Sequence, residues 1–167
     1  MGLELGFASL TASLRSPVRP LRIGLISDTH DLLRPEVLEW LRGADHILHA
    51  GDICGEAVLQ ALGQVAALTA VRGNNDLGPW AQGLRAAQTV HFGEVAVHVL
   101  HDLHDLALPV GVRVVVSGHS HKPKVEERAG VLYVNPGSAG PRRFQLPISA
   151  GELRIAGAEV TARLMQF

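Results

Sequence analysis

Short apolar runs along this chain repeatedly end in clusters of carboxylates, amides and imidazoles. Ile23, Leu25 and Ile26 run into Ser27-Asp28-Thr29-His30-Asp31. His46-Ile47-Leu48-His49-Ala50 runs into Gly51-Asp52, and residues 68–71 run into Arg72-Gly73-Asn74-Asn75-Asp76. Between these runs, residues 35–41 and 56–67 carry apolar side chains at helical spacing; Pro35 opens the first helix and Gly43 stops it. Strand, polar edge and helix thus recur in order, which predicts βαβ units and a largely parallel sheet. A short helix is expected around residues 79–87.

The second half changes period. Residues 89–101 alternate around Gly93, and residues 112–116 are a β-branched run ending in Ser117-Gly118-His119-Ser120-His121. Residues 125–134, broken at Gly130, read as a hairpin leading into Asn135-Pro136-Gly137-Ser138, and residues 151–165 as a last hairpin turning at Gly157. Strands replacing helices suggest a second sheet packed on the first. There is no internal repeat and no low-complexity segment.

Composition narrows the function classes. With 167 residues and 47% hydrophobic content, the chain fits one domain with a real core. Fifteen Lys plus Arg against sixteen Asp plus Glu give no electrostatic footprint for nucleic acid or an anionic membrane. No apolar run approaches bilayer-spanning length. A single cysteine, Cys54, excludes an internal disulfide and fits a reducing, cytoplasmic setting. Residues 1–20 differ from the rest and end in Ser16-Pro17-Val18-Arg19-Pro20; without a basic n-region they do not resemble a secretory signal. They are expected to be an extension to a domain spanning 21–167, ordered by a neighbouring subunit in a homodimer or higher oligomer.

Nine histidines are the unusual count. The strand ends gather Asp28 and His30, Asp52, Asn74, His101, and His119 and His121. In an extended segment residues i and i+2 point to one side, so Asp28 and His30 can converge. Strand parity places Val95, Val97, Val99 and His101 on one face and His98 on the other. Mixed nitrogen and oxygen donors without thiolates point away from structural zinc and towards divalent ions such as Mn²⁺, Fe²⁺ or Zn²⁺. Seven donors exceed what one ion needs and suit two that share a carboxylate.

The ordered set Asp28-x-His30, Gly51-Asp52, Gly73-Asn74-x-Asp76, a lone His101 and Gly118-His119-x-His121 resembles the calcineurin-like metallophosphoesterases. The short length, with Asn135-Pro136-Gly137-Ser138 and Pro141-Arg142, is similar to their small bacterial and archaeal phosphodiesterase branch, which is related to the retromer scaffold subunit of eukaryotes. The resemblance covers residues 21 to about 165. It implies a four-layer αββα sandwich: two mixed sheets with helices outside. It also implies a phosphodiesterase in which a metal-bridging hydroxide attacks a small phosphate-ester substrate in line, with two ions about 3.5–4 Å apart. Asp28, His30 and His121 would hold the first ion; Asn74, His101 and His119 the second; Asp52 would bridge. Mn²⁺ is the first expectation, with Fe²⁺, Ni²⁺ or Zn²⁺ as alternatives. A phosphomonoesterase or nucleotidase, and a non-catalytic scaffold module, are the other readings. The enzyme ranks above the scaffold because every ligand position holds a side chain that can coordinate.

The residues expected in catalysis are Asp52, Asn74, His30 and Asp76. Two positions depart from the family. Asn75 stands where many relatives carry a His thought to protonate the leaving group, and where the small branch often has Cys, which leaves water or His30 for that role; Asp76 is either an acid or a turn residue buttressing Asn74. Asp102 stands where Gly is usual and could orient His101. His46, His49 and His91 read as strand or loop histidines, and Cys54 as a buried thiol. Asn135 and Ser138 read as support beneath the ligands. Arg142 and Arg143 meet substrate phosphate or a partner, or are solvated. Trp40 and Trp80 are assigned to helix faces.

Overall fold

Ile23, Leu25 and Ile26 are all fully buried, because the first strand lies inside a sheet with layers on both sides. The computed structural model describes residues 19–167; most of the expected N-terminal extension, residues 1–18, lies outside the described residues. The chain runs β1 (Leu21–Ile26), α1 (Pro35–Leu41), β2 (His46–His49), α2 (Glu56–Val65) and β3 (Ala67–Ala70), then β4 (Ala87–Phe92), β5 (Val95–Leu100), β6 (Val112–Val116), β7 (Lys124–Arg128), β8 (Val131–Asn135), β9 (Ser149–Ala156) and β10 (Glu159–Gln166).

Two five-stranded mixed sheets result, ordered β10-β9-β1-β2-β3 and β4-β5-β6-β8-β7. Strands β1, β2 and β3 are parallel, as are β5, β6 and β8, so their carboxyl ends meet along one edge of the sandwich. The alternation of side chains sorts the core into layers. Ile23, Leu25 and Leu48 face Val97, Val99, Val114 and Val116 between the sheets. On the opposite face, Ile26 and Ile47 pack against Val37 and Leu41 of α1 and Val58 and Leu62 of α2. Beyond the second sheet, Leu106, which closes a 3₁₀ turn at Leu103–Asp105, packs with Ala96, Leu100, Val112 and Val115. The αββα expectation therefore holds, with the fourth layer reduced among the described residues to that turn. No described helix is long and apolar enough to cross a membrane.

Three boundaries differ from expectation. The helix expected over 79–87 is a 3₁₀ turn, Pro79–Ala81, since Gly78 and Gly83 flank it and Ala87 already pairs with Leu100 in β4. Helix α2 stops at Val65 because Ala66 is extended and Ala67 joins β3 opposite His46. The last hairpin does not extend the second sheet; β9 pairs antiparallel with β1 and completes the first. Glu152 anchors it there, buried and paired with Arg22, Arg154 and Arg163. Arg22 also donates to the Trp40 and Arg42 carbonyls at the end of α1, satisfying groups a helix terminus leaves open.

At the end of β2, His49 is fully buried and forms the floor of the polar edge. Its Nδ1 accepts from the Gly51 N–H at 3.2 Å. Its Nε2 lies 3.0 Å from Thr29 Oγ1, whose own proton goes to the Ile53 carbonyl, so the neutral Nε2–H tautomer is held. Burial pushes its pKa down to about 3, only partly opposed by Asp28. The unfolded chain binds a proton at this residue below about pH 6.5, whereas the folded chain does not until about 3. Stability should therefore fall as pH drops through that window, by at most about 1.4 kcal/mol per pH unit from this group. In thermal melts with chelator present, His49→Gln should flatten the wild-type decline between pH 6.5 and 4; parallel slopes would remove His49 as its cause.

Candidate metal centre

The strand ends do not remain extended as they reach the edge. Asp28, His30, Asp52, His119 and His121 all have positive φ, between 45° and 67°. This left-handed region is uncommon for non-glycine residues and concentrates at functional sites. Asp28 and His30 thus converge through paired kinks, which corrects the extended geometry expected of them. Backbone hydrogen bonds between the β1 and β2 loops hold the kinks: Asp28 N–H to Gly51 O at 3.0 Å, His30 N–H to Asp52 O at 3.0 Å and Asp31 N–H to Ile53 O at 2.8 Å.

The seven expected side chains form two adjoining groups. In the first, Asp28 Oδ1 lies 3.2 Å from His121 Nε2, and His30 Nε2 lies 3.4 Å from His121 Nε2. In the second, Asn74 Oδ1 lies 3.0 Å from His101 Nε2 and 3.1 Å from His119 Nδ1. Asp52 Oδ2 sits between them, 3.4 Å from His101 Nε2 and 3.8 Å from His30 Nε2.

Several of these contacts join acceptor to acceptor. His101 Nδ1–H donates to the Ala50 carbonyl at 2.7 Å, which leaves Nε2 a bare lone pair facing Asn74 Oδ1 and Asp52 Oδ2. Asp28 Oδ1 is buried without any hydrogen-bond donor, while Oδ2 accepts from Ser27 Oγ and the His119 N–H. Buried acceptors pressed together are costly unless something positive lies among them. Donor spacings of 3.0–3.4 Å fit the edges of a coordination shell whose bonds are about 2.0–2.2 Å. A proton on His101 would relieve only part of this: burial would lower its pKa, but Asp52 and the Ala50 carbonyl outweigh it and raise it, whereas Asp28 Oδ1 would still lack a donor. Burial would likewise raise the Asp52 carboxyl, but His101 and two hydrogen bonds from Asn75 hold it below the usual carboxylate range. The residues fit divalent ions.

The support is backbone-rich. Asp76, expected as a candidate acid, is buried with its carboxylate engaged by four N–H groups: those of Ile53 and Cys54 on Oδ1, and Asp52 and Gly73 on Oδ2. These bonds tie the Asp52 loop to the Asn74 loop, the geometry of the buttress rather than of the acid. Asn75 clamps Asp52, its N–H on Oδ1 at 2.8 Å and its Nδ2 on Oδ2 at 2.7 Å. A Cβ at Gly73 would meet Asp52 N and Oδ1, and one at Gly118 would meet Ser27 Oγ, each within 2.2 Å. Only glycine permits these approaches.

Asp102 points at His119 rather than His101, with Oδ2 3.6 Å from His119 Nε2, and its Oδ1 binds His104. Ser138 Oγ donates to Asp28 O, and Asn135 Nδ2 to Gly118 O, as expected of supports. His46 bonds Thr69 instead of joining the centre. Cys54 lies 3.5 Å from His30 Nδ1, but burial pushes its thiol up to about 11, so it stays protonated. Arg143 Nη2 reaches within 3.4 Å of His30 Nε2. Arg72 also lines a cavity of about 330 Å³ beside Asn74, His101 and His119; in the sequence its place directly before Gly73-Asn74 is the only signal of this.

A domain model described as the calcineurin-like phosphoesterase superfamily matches residues 21–157. The chain belongs to that superfamily. It is similar to a probable metallophosphoesterase of Methanothermobacter thermautotrophicus, 32% identical over 159 residues covering 86% of this chain and 91% of the relative. It is also similar to a phosphodiesterase of Methanocaldococcus jannaschii, 27% identical over 139 residues covering 70% and 83%. Among solved structures, Vps29 of Chaetomium thermophilum superposes with a TM-score of 0.76 at 22% identity, covering 87% of each chain. That likeness concerns the fold. As a calcineurin-like phosphoesterase the chain carries candidate metal-binding clusters at Asp28, His30 and His121 and at Asp28, Asp52 and His101.

Asp76→Ala should strand four buried N–H groups and lower stability by roughly 3 kcal/mol or more, read as a lower urea midpoint. Asp76→Asn should weaken the fold yet leave the shape of the pH–rate profile for ester hydrolysis unchanged; a displaced limb would restore Asp76 as an acid.

Proposed function

We propose that this protein is a dinuclear metal-dependent phosphodiesterase. The shared position of Asp52 Oδ2 between two donor groups carries this reading. Asp28, His30 and His121 would hold one ion, Asn74, His101 and His119 the other, and Asp52 both. Two ions supply an activated water at neutral pH and neutralise charge on the phosphoryl oxygens. The phosphodiesterase name of one relative supports the diester over the monoester.

The chain's own residues set what surrounds that chemistry. Burial lowers the His30 pKa, with Arg143 adding to it against Asp52, so the imidazole is neutral near pH 7 and offers its Nε2 lone pair to an ion. That nitrogen cannot also deliver a proton. Asn75 has no titratable proton and is committed to Asp52. Arg143 brings positive charge to within 3.4 Å of His30 Nε2, and Arg72 lines the cavity beside Asn74, His101 and His119. Leaving-group protonation therefore falls to water, and esters of acidic alcohols and phenols should be preferred. We also propose that the protein acts in a reducing compartment and assembles at least as a homodimer.

Hydrolysis of a 4-nitrophenyl phosphodiester should vanish on chelation and return with Mn²⁺, and Asp52→Ala should lose about 100-fold or more. Metal bound without turnover under Mn²⁺, Ni²⁺, Fe²⁺ or Zn²⁺ would favour the non-catalytic scaffold. Across aryl diesters, log kcat/KM should fall steeply as the leaving-group pKa rises. A flat dependence would show that a protein acid exists.

A further inference from the structure

The turn beside the metal centre exposes an aromatic side chain that no packing requirement explains. Phe144 is 93% exposed, and its φ of 52° places a bulky residue in the left-handed region. The turn is held by Arg142 Nη1, which donates to the Leu146 carbonyl at 3.2 Å, and by the Leu146 N–H, which donates to the Arg143 carbonyl at 3.1 Å. Phe144, Gln145 and Leu146 form one wall of an open groove of about 810 Å³, and Ser120 and Lys122 form the other. Ser120 lies between His119 and His121, and Lys122 follows directly. Arg143, next to Phe144, approaches His30 Nε2. None of the seven donors lines the groove, but its walls adjoin the loops that carry His30, His119 and His121, with Arg143 as the spatial link.

Its chemistry is specific. Ser120 Oγ accepts from Asn135 Nδ2 at 3.1 Å and from the Lys122 N–H at 3.3 Å. With both lone pairs engaged, the hydroxyl offers its proton to an outside acceptor. Lys122 is exposed and adds positive charge. An aromatic face opposite a hydroxyl donor and an ammonium suits a flat ring with acceptor atoms, carried on an anionic ester; a short alkyl group would use none of these features.

We propose that this groove is the subsite for the non-leaving ester group of the substrate, and that this group is a planar aromatic ring bearing hydrogen-bond acceptors, as in a nucleoside or a substituted aryl ester. The proposal rests on the phosphodiesterase reading above.

Three diesters sharing the 4-nitrophenolate leaving group test it: the methyl, phenyl and thymidine 5′ esters. In the Mn²⁺-loaded wild type, kcat/KM for the ring esters should exceed that for the methyl ester by about tenfold. Phe144→Ala should bring that ratio towards one, and Phe144→Trp should keep it. Ser120→Ala should lower the thymidine ester relative to the phenyl ester; if the two stay in proportion, the acceptor part of the proposal is overturned. A wild-type ratio near one, or a ratio that survives Phe144→Ala, overturns the proposal. If no diester is hydrolysed, the phosphodiesterase reading fails separately. Calorimetry with unreactive diphenyl and dimethyl phosphate then decides the subsite: tighter diphenyl binding lost in Phe144→Ala supports it, and equal binding overturns it.

Discussion

Lone pairs that face one another in a buried place are the constraint on which this structure depends. Asp28 Oδ1 has no donor, and His101 Nε2 faces oxygen atoms because its other nitrogen is engaged by Ala50. Such an arrangement loses solvation without regaining it from the protein. The left-handed backbone at Asp28, His30, Asp52, His119 and His121 adds strain, of the order of 1–3 kcal/mol per residue. Both are tolerable because the apolar layer between the sheets and the bonds zipping the β1 and β2 loops over-determine the edge. Divalent ions would relieve the electrostatic part, so metal binding and fold stability are coupled.

The motif spacings acquire physical meaning from this geometry. In Gly73-Asn74-Asn75-Asp76, glycine lets the loop pass against Asp52, Asn74 faces the centre, Asn75 grips the Asp52 carboxylate and Asp76 gathers four backbone amides. Neighbouring residues thus do unrelated jobs, and a change at any of them would be felt at Asp52. Gly118 performs the same service for Asp28 before His119 and His121.

Much of this was legible in the chain. Apolar runs ending in polar clusters gave the parallel strands, and alternation around Val95, Val97 and Val99 placed His101 on the inner face, where it is buried beside the centre. What was not legible depends on contacts across the sequence. Asp102 faces His119 because the β5 and β6 ends are neighbours, and residue spacing says nothing of that pairing. Asp76 could be read as an acid until its four donors, three of them from another loop, were seen. The helix expected near Pro79 looked plausible by composition, but turns, the bridge of Arg85 to Val71 and the start of β4 at Ala87 replace its second half.

The position of β9 has a consequence for the order in which the molecule is made. Leu25 pairs with Leu48 on one side and with Gly151 on the other. During synthesis, β1 to β3 and their helices emerge with one flank of β1 open, and Leu153 and Ile155, which belong to the inter-sheet core, arrive far later. Such long-range closure is slow and exposes an unpaired edge meanwhile. Asp28 hangs from the end of that unfinished strand, and its partners His119 and His121 also come from the later half. A nascent chain thus cannot gather its candidate donors until His121 has emerged, and the strand that fixes the far flank of β1 follows later still.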